Sequence, residues 1–392
     1  MVESKGVRVM RIGVIGAGVL GLTAAWEASQ RGHEVAVLDK DSPFAGASHR
    51  SFAWINANNK LPASYQKLNA LGVAEHRRFE RELPSEAQWL NLCGNILVDF
   101  SSDGARTVEA RLNDAEKYDY SVEQVNRARL AVMEPAVDWP DSVATGLFYP
   151  DEGYVDTDIL NEQLVTALRR AGVPIMRREV LEFASTGTGA TIRTDDGWET
   201  FDRVLLAAGA DSMRLAQDSD YTVPMADLTR PSARTHSFLG LSEPTDLGLR
   251  HIVVSDRINV RPRHDGRMWV QVPHVENRAE EGASPEVIAE VTDTMEQELA
   301  ELFGRPVSVD EVILSGRSFP KDGLSIIGHL DDEQHVYCTV THSGMTLGPL
   351  FGRLAVDEIE GGSHDALLAD FRPSRFAAGV SVAGDEYFIG KQ

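Results

Sequence analysis

Apolar and polar positions at the start of the chain follow a strand–helix–strand order. Arg11–Ile15 is a short apolar run that predicts a buried strand, and Leu20–Arg31 carries apolar residues at helical spacing. Gly32 ends this helix, and Glu34–Leu38 predicts a second strand. The pattern therefore predicts one β–α–β unit.

The following region, Pro62–Asp138, is richer in charged residues and has a mostly helical pattern. Ser121–Gln124 resembles a capping box, so we expect a helix that begins there and continues to Met133. Trp89–Phe100 interrupts the helical pattern and predicts a pair of strands. We therefore expect helices with a small β element between them.

The rest of the chain alternates between amphipathic helices and short strands. Helices are predicted at Asp156–Ala171, Pro285–Phe303 and Leu347–Ile359. Strands are predicted at Glu179–Ala184, Ala190–Thr194 and Arg203–Ala207, within Thr235–Val275, and at Val309–Arg317 and His335–Thr341.

This order of elements predicts a mixed α/β fold, in which a Rossmann-like nucleotide-binding domain is interleaved with a β-rich substrate-binding domain. The nucleotide-binding domain is expected to be discontinuous, with residues 1–60, 150–215 and 320–365. The substrate-binding domain is expected at residues 61–149 and 216–319, followed by a C-terminal tail at 366–392.

Composition and charge exclude several classes of protein. The 392-residue chain is 42% hydrophobic, which is ample for a large core, and its formal net charge of −22 disfavours nucleic acid as a partner. No apolar stretch is long enough to predict a transmembrane helix. The apolar run Ile12–Leu22 follows two arginines, but its four glycines indicate a folded turn rather than a signal peptide. Two cysteines are too few for a disulfide framework, so we expect a cytoplasmic protein.

Three glycines lie where the first predicted strand meets the first predicted helix. In a dinucleotide-binding turn, Gly16 would permit the tight turn, Gly18 would let a pyrophosphate approach the backbone, and Gly21 would let helix and strand pack closely. Asp39 closes the second strand, where a carboxylate accepts hydrogen bonds from an adenosine ribose. The combination predicts a dinucleotide site rather than a plain glycine-rich turn, and Asp39 disfavours a 2′-phosphate.

The glycine motif does not separate FAD from NAD, but two further segments favour FAD. Pro43–Trp54 contains small residues that permit a backbone loop against a flavin ring and its phosphates. Thr341–Pro349 is rich in glycine and leads into the last helix, with Pro349 near the expected first turn. The positive end of that helix would stabilise the negative charge of a reduced flavin. Taken alone, the second segment is equally compatible with an ordinary helix entry.

Together these segments resemble the D-amino-acid oxidase superfamily of FAD-dependent oxidoreductases, nearest its glycine oxidase and sarcosine oxidase branch. The resemblance covers most of the chain and implies hydride transfer from a carbon bearing an amine to the flavin. Its segments are Gly16–Gly21, Gly153–Asp156, Val204–Ala210, Ile258–Arg263, Asp265–Met268, Arg317–Gly328 and His342–Pro349.

The motifs and the resemblance imply a set of cofactor-binding residues, with FAD held noncovalently. They are Gly16, Gly18, Val19, Leu20, Gly21, Asp39, Lys40, Ala47, Ser48, His49, Arg50, Ser51, Val180, Ala208, Gly209, Gly344, Met345, Thr346 and Leu347.

The resemblance also implies three candidate catalytic residues. Arg317 precedes a Pro-x-Asp-Gly turn, where glycine oxidase-like relatives place an arginine that pairs with the substrate carboxylate; the alternative is a structural ion pair. His49 and His342 are expected near the flavin. Some relatives attach FAD through a histidine near the position of His49, but the surrounding pattern differs here. The histidines lack metal-ligand spacing, so no metal site is expected.

We therefore expect an FAD-dependent enzyme that oxidises the C–N bond of a small-molecule amino acid or secondary amine, with oxygen as electron acceptor. An alternative is a dehydrogenase or biosynthetic tailoring enzyme that acts on a larger amine. It is motivated by the region of Met268 and Trp269, where a basic residue that aids oxygen activation in some relatives has no counterpart. A flavin monooxygenase is a third possibility, but the chain shows no second glycine motif. Substrate, stereochemistry and oligomeric state stay open.

Overall fold

The computed structural model of the protein describes residues 8–376. Its helices are α1 Val19–Gln30, α2 Ala63–Glu82, α3 Gly104–Lys117, α4 Arg127–Met133, α5 Thr157–Arg170, α6 Ser212–Asp218, α7 Pro285–Phe303, α8 Gly344–Ile359 and α9 Asp365–Leu368. Its strands are β1 Arg11–Ile15, β2 Glu34–Asp39, β3 Trp54–Ile55, β4 Leu90–Asn91, β5 Asn95–Leu97, β6 Glu123–Asn126, β7 Thr145–Tyr149, β8 Gly153–Val155, β9 Ile175–Arg177, β10 Glu182–Thr186, β11 Gly189–Thr194, β12 Gly197–Phe201, β13 Arg203–Leu206, β14 His236–Ser242, β15 Ile252–Val254, β16 Asn259–Pro262, β17 Met268–Gln271, β18 Val309–Gly316, β19 Ile326–His329 and β20 Val336–Val340.

The first strand lies inside a six-stranded sheet with the order β19-β20-β13-β1-β2-β9. β1 is parallel to β2 and β13, and β13 is parallel to β20. Parallel strands are normally covered on both faces, and β1 is buried after Arg11. Ile12 and Val14 belong to the core that contains α1, α5 and α8, whereas Ile15 belongs to a second core on the other face. That second core includes Ile192 from the three-stranded sheet β10-β11-β12.

An eight-stranded sheet with the order β18-β14-β17-β16-β15-β5-β7-β6 forms the other large layer. Side chains alternate between its two faces along each strand. Phe238 and Val270 pack in a core with α7, whereas their neighbours Ser237, Leu239 and Gln271 line a cavity. A separate, short sheet has three strands in the order β3-β8-β4. The fold is therefore the expected mixture of helices and strands, with a mostly parallel sheet in which β19 is antiparallel to β20, and a separate, largely antiparallel sheet.

Most predicted elements are confirmed, and α7 has the predicted bounds. The capping box at Ser121–Gln124 is wrong. Glu123–Asn126 is strand β6, and α4 begins after Asn126, whose side chain accepts a hydrogen bond from the Arg129 amide. Asparagine is as good an N-cap as serine, and the helix begins after the asparagine rather than after the predicted serine.

Other boundaries also differ from the sequence predictions. The two strands predicted within Trp89–Phe100 exist as β4 and β5, but they belong to different sheets and do not pair with each other. The predictions did not include β9, β12 and β19. The last helix begins at Gly344 rather than at Leu347, so Pro349 lies inside it instead of in its first turn.

The six-stranded sheet draws its strands from segments near the start, middle and end of the chain, as an interleaved arrangement requires. The division into domains stays a prediction. Helix α2 belongs to the predicted substrate-binding segment, yet it packs against α8 beside the six-stranded sheet. Within residues 8–376, no helix is long and apolar enough to cross a membrane.

The first part of the predicted C-terminal tail is packed against the rest of the protein. Leu368 and Phe371 are fully buried. Arg372 forms an ion pair with Glu358 at 2.6 Å, and Arg375 pairs with a further carboxylate of the chain. Residues 366–376 therefore belong to the folded unit, and residues 377–392 of the predicted tail lie outside the described part of the chain.

Candidate functional site

A cavity of about 530 Å³ is lined by residues from both large sheets. One end is formed by the turn between β1 and α1, by the end of β2 and by the segment after β13. The other end is formed by β14, β17 and the end of β18. A cavity of this volume is in the range of cofactor and ligand sites.

The turn between β1 and α1 has the geometry that the glycine motif predicts. Gly16 has a φ of +110°, and a Cβ there would lie 2.4 Å from the carbonyl oxygen of Ala207 after β13. A Cβ on Gly21 would lie 1.9 Å from the Gly16 carbonyl oxygen, so only glycine permits this approach of helix and strand. Gly18, Val19 and Leu20 at the start of α1 line the cavity, where a helix N-terminus favours an anion.

Two polar side chains hold the chain around this turn. The Asp39 carboxylate accepts hydrogen bonds from the Ala17 amide at 2.6 Å and from the Asp41 amide at 2.9 Å. The Ser48 hydroxyl accepts one from the Val19 amide at 2.9 Å. Asp39 therefore joins the end of β2 to the glycine turn, and its carboxylate retains lone pairs for a ribose.

The start of α8 is fixed by close contacts with α1 and α2. A Cβ on Gly72 of α2 would lie 2.6 Å from the Thr346 carbonyl oxygen, and a Cβ on Gly352 would lie 2.8 Å from the Thr23 carbonyl carbon. The Thr23 hydroxyl also donates a hydrogen bond to the Gly348 carbonyl at 2.8 Å. These contacts place the first turn of α8, Gly344–Thr346, in the cavity wall.

Pro349 interrupts the hydrogen bonds of α8, and a buried histidine replaces the missing donor. Proline has no N–H, so the carbonyl of Met345 four residues earlier lacks its usual helical partner. His76 on α2 lies 2.8 Å from that carbonyl through its Nε2 atom, which must donate. Burial lowers the pKa of His76 to about 4, so the imidazole is neutral at physiological pH. Sequence analysis missed this residue.

The neutral state of His76 predicts a loss of stability in acid. The unfolded histidine takes up a proton near pH 6.5, whereas the folded one stays neutral until about pH 4. The free energy of unfolding should therefore fall across this interval by on the order of 2–3 kcal/mol. We expect H76Q, which keeps a donor but does not titrate, to show a shallower decrease in melting temperature than the wild type. Thermal unfolding across this pH interval measures the difference.

The exposed histidine His274 provides a matched control, because the same substitution there removes a histidine that is not part of α8 packing. H274Q should follow the wild-type curve. Parallel curves for H76Q and the wild type would contradict the assignment of the acid sensitivity to His76.

Arg317 lies at the far end of the cavity and is bound by a carboxylate that the sequence analysis did not identify. Its Nη2 atom is 2.9 Å from Glu276 Oε1. Glu276 lies on the 3₁₀ helix Pro273–Glu281 and also accepts a hydrogen bond from the Ser237 hydroxyl. The Nη1 atom of Arg317 is buried and has no hydrogen-bond partner within residues 8–376. Arg317 therefore has one nitrogen committed to an ion pair and another available to a ligand.

Two further titratable groups line the cavity beside Arg317. Lys60, which sequence analysis also missed, is 5% exposed, and burial lowers its pKa to about 8. Burial also lowers the pKa of His342 well below its ordinary value, and the nearby charges of Lys60 and Arg317 lower it further. His342 is therefore neutral, and this end of the cavity carries positive charge.

Glu152 is the centre of a buried polar cluster next to Lys60. Its carboxylate is fully buried and accepts hydrogen bonds from Asn58 at 2.8 Å, Trp54 at 3.0 Å and Tyr120 at 3.0 Å. Burial raises its pKa to about 7, although these donors act in the opposite direction. Asn56, Asn58 and Lys60 follow β3 in a loop and are all buried, so no local pattern in the sequence identifies this group.

The structure brings most of the predicted site residues to one cavity. The predicted residues that line it are Gly16, Gly18, Val19, Leu20, Asp39, Lys40, Ala47, Ser48, Arg50, Ser51, Val180, Ala208, Gly209, Arg317, His342, Gly344, Met345 and Thr346. Gly21 and Leu347 lie behind the wall, where they pack helices against their neighbours. His49 is exposed, outside the lining, and pairs with Asp158 at 3.0 Å.

Neither cysteine lines the cavity: Cys93 is partly exposed and Cys338 is buried in β20. In the described part of the chain, no group of three or more His, Cys, Asp or Glu side chains could hold a metal ion.

Comparison with known proteins identifies the family. Residues 11–358 match the family described as DAO, FAD dependent oxidoreductase. The chain belongs to this family. It is therefore an FAD-dependent oxidoreductase, as the glycine motif and the late helix predict.

Relatives of this DAO-family chain cover almost its full length at low identity. An opine oxidase subunit of Agrobacterium tumefaciens (strain Ach5) is 24% identical over 94% of this chain and 98% of its own. Glycine oxidase of Geobacillus kaustophilus (strain HTA426) is 21% identical over 95% of this chain and 98% of its own.

Solved structures show the same fold. The crystal structure of glycine oxidase from Geobacillus kaustophilus has a TM-score of 0.81 and 19% identity, covering 94% of this chain and 99% of its own. L-proline dehydrogenase from P. horikoshii has a TM-score of 0.78 and 16% identity, covering 94% of this chain and 98% of its own.

The residues of the cavity fit FAD. A Cβ at Gly16 or Gly21 would clash with neighbouring backbone, so these glycines keep the start of α1 close to β1, where a helix N-terminus favours a pyrophosphate. Asp39 lies at the end expected for the ribose. The first turn of α8 lines the same cavity, where the positive end of the helix would stabilise a reduced flavin.

Proposed function

We propose that this enzyme oxidises the C–N bond of an amino acid or secondary amine that carries a carboxylate, in the cytoplasm and with noncovalently bound FAD. The supporting observation is Arg317, whose Nη1 atom is buried at the substrate end of the cavity with no hydrogen-bond partner in residues 8–376. A buried guanidinium nitrogen without a partner is costly, and a substrate carboxylate would satisfy it with a charge-assisted hydrogen bond.

The second part of the proposal concerns the amine. Hydride transfer from the carbon requires the nitrogen lone pair, so the amine must react in its neutral form. The charges of Arg317 and Lys60 disfavour another positive charge in this part of the cavity, which favours the neutral amine. Neutral His342 lines the same wall and can exchange a hydrogen bond with the substrate without adding charge.

FAD, when bound, supplies the two-electron acceptor for this reaction. The protein contributes the position of the ring and the electrostatics around it. The first turn of α8 lines the cavity, where its backbone amides would stabilise negative charge on the reduced ring. The contacts of Gly72 and Gly352 with neighbouring backbone hold these donors in place before the substrate binds.

Noncovalent attachment is supported by the positions of the two cysteines and of His49, the histidine considered for covalent attachment. Cys93, Cys338 and His49 all lie outside the cavity lining. Retention of FAD by the folded protein and its release on denaturation in acid would test this part of the proposal.

We propose that oxygen is the electron acceptor, which makes the protein an oxidase. The second candidate is a dehydrogenase, which uses another acceptor. The names of the similar proteins include both oxidases and a dehydrogenase. Met268 and Trp269 occupy β17, and neither lines the cavity, so no basic group from that position reaches it. This observation favours the second candidate, in which the reduced flavin passes electrons to a quinone or another protein.

The test is anaerobic mixing of the purified yellow protein with D- and L-amino acids, N-methyl amino acids and amines without a carboxylate. We expect bleaching of the flavin absorbance by one carboxylated class and no bleaching by the matched amines. Bleaching by the uncarboxylated amines alone would overturn the role of Arg317. Admission of air then separates the two acceptors, since an oxidase regains its colour rapidly and a dehydrogenase does so only with an artificial acceptor.

A further inference from the structure

Lys60 is the one lysine side chain buried at the substrate end of the cavity in the described part of the chain. It follows β3 in a loop, it is 5% exposed, and it lines two cavities. One is the large cavity, and the other is a pocket of about 10 Å³ on the side of α3, enough for one water molecule. A lysine is almost never buried without a partner, so this position needs an explanation.

Glu152 is the carboxylate whose charge acts on Lys60, but the two side chains do not form an ion pair. Glu152 raises the pKa of Lys60 through its charge, but no hydrogen bond to residues 8–376 contributes to that pKa. Both Glu152 oxygens are already occupied by donors. They are the Asn58 amide and side chain, the Trp54 indole, the Asn95 side chain and the Tyr120 hydroxyl.

Arg317 faces the same cavity and is also incompletely satisfied. Its charge lowers the pKa of Lys60, so the two cations are close enough to repel each other. Glu276 pairs with one nitrogen of Arg317, while Nη1 has no partner within residues 8–376. Two buried cationic donors without a shared anion are unfavourable together, and one bound anion would stabilise both.

We propose that Lys60 is an anion-binding residue that acts with Arg317 to hold a monocarboxylate at the substrate end of the cavity. The inference that this carboxylate belongs to the reacting amine rests on the proposed function, but the binding of the anion itself does not. Lys60 thereby becomes a determinant of specificity that no glycine or arginine motif identifies.

The proposal gives carboxylate binding a defined pH dependence. The charge of Glu152 raises the pKa of Lys60, and the charge of Arg317 lowers it. His342, which also lies near Lys60, is neutral. The small pocket adds the titratable groups Arg111, Asp114, Tyr118, Tyr120 and Tyr149.

The pKa of Lys60 is about 8 in the free protein, and a bound anion would raise it. Increasing pH removes the charge before binding and therefore weakens binding, by about tenfold between about pH 7 and pH 9.

The experiment is calorimetric titration of the oxidised holoenzyme with propionate at several pH values. Propionamide, which has the same size but no charge, is the control ligand. We expect propionate to bind, propionamide not to bind, and K60M to weaken propionate binding at least about tenfold at neutral pH. The remaining binding in K60M should change much less between about pH 7 and pH 9 than in the wild type, because only Glu152, whose pKa is about 7, still gains charge there. K67M makes the same change at an exposed lysine on α2 and should behave as the wild type.

A second variant tests the electrostatics without removing Lys60. E152Q keeps a buried side chain of the same shape but removes the charge that raises the pKa of Lys60. The pH at which propionate binding weakens should therefore move downward in E152Q, which a merely structural role of Lys60 would not cause. Flavin content and thermal unfolding confirm that each variant is folded.

Three results would overturn the proposal. They are unchanged propionate affinity in K60M, absence of propionate binding to the wild type, and binding that strengthens with pH. The last would make Lys60 a proton acceptor instead. None of these results depends on flavin reduction. Propionate binding without bleaching by any amine would therefore refute the proposed reaction but not the anion site.

Discussion

Replacement of Gly21 by valine is expected to give protein that no longer retains FAD. A Cβ at this position would lie 1.9 Å from the Gly16 carbonyl oxygen. The Cβ is fixed to the backbone of α1 and the oxygen to the backbone of the glycine turn, so neither can move without moving the chain. The start of α1 must shift away from β1, which removes the helix amides from the pyrophosphate position. We expect at least about a hundredfold loss of FAD affinity and a loss of stability of about 1–3 kcal/mol. Visible absorbance per protein and thermal unfolding measure the two effects.

Gly187 provides the control, because a Cβ at this turn has no heavy atom within 4 Å. G187V should retain the flavin and unfold near the wild-type temperature. A yellow G21V protein with wild-type FAD affinity would show that the glycine turn is not the pyrophosphate site.

Replacement of Arg317 by alanine is expected to raise KM for the carboxylated substrate by about 100-fold, with a smaller effect on kcat. The arginine contributes a charge-assisted hydrogen bond through its free Nη1 atom, and this interaction is present in both the ground state and the transition state. Steady-state kinetics with the substrate identified by the amine panel give the two constants.

The ion pair with Glu276 requires a second variant. R317A leaves the 7% exposed Glu276 without its cation, and this carboxylate could itself repel the substrate. R317M/E276Q removes both charges, and we expect its KM to stay within a few-fold of that of R317A. Recovery of wild-type KM in the double variant would assign the effect to Glu276 and leave Arg317 with a structural role.

The parts of the site that depend on backbone were predictable from the sequence. Gly16 and Gly21 identify a turn because both positions exclude a Cβ, and that exclusion is visible as residue type. Helix α7 was predicted with its observed bounds because Pro285 and Gly304 terminate a strongly amphipathic run. These signals are local, so a single sequence contains them.

The side chains at the substrate end were less predictable, because their roles arise from long-range contacts. Glu276 carries no local pattern, and only the fold of the eight-stranded sheet brings its 3₁₀ helix to Arg317. Lys60 resembles an ordinary surface lysine in a polar loop until Glu152 and the cavity are placed beside it.

Helix α8 shows the same limit at an element boundary. Pro349 favours the first turn of a helix, but His76 supplies a hydrogen bond to the Met345 carbonyl and allows the helix to begin at Gly344. The contact joins residues that are 269 positions apart, so local propensity could not predict it.

The order of strands in the six-stranded sheet also determines when the enzyme can acquire its cofactor during synthesis. β1 and β2 leave the ribosome first, β13 follows when about half of the chain has been made, and β20 joins the sheet only near the end of synthesis. Helix α1 can cover one face of β1 early, but the edge of β1 that pairs with β13 stays open until β13 is made, and this edge can pair with other chains. We therefore expect soluble expression to depend on chaperones, and FAD to bind after translation rather than during it.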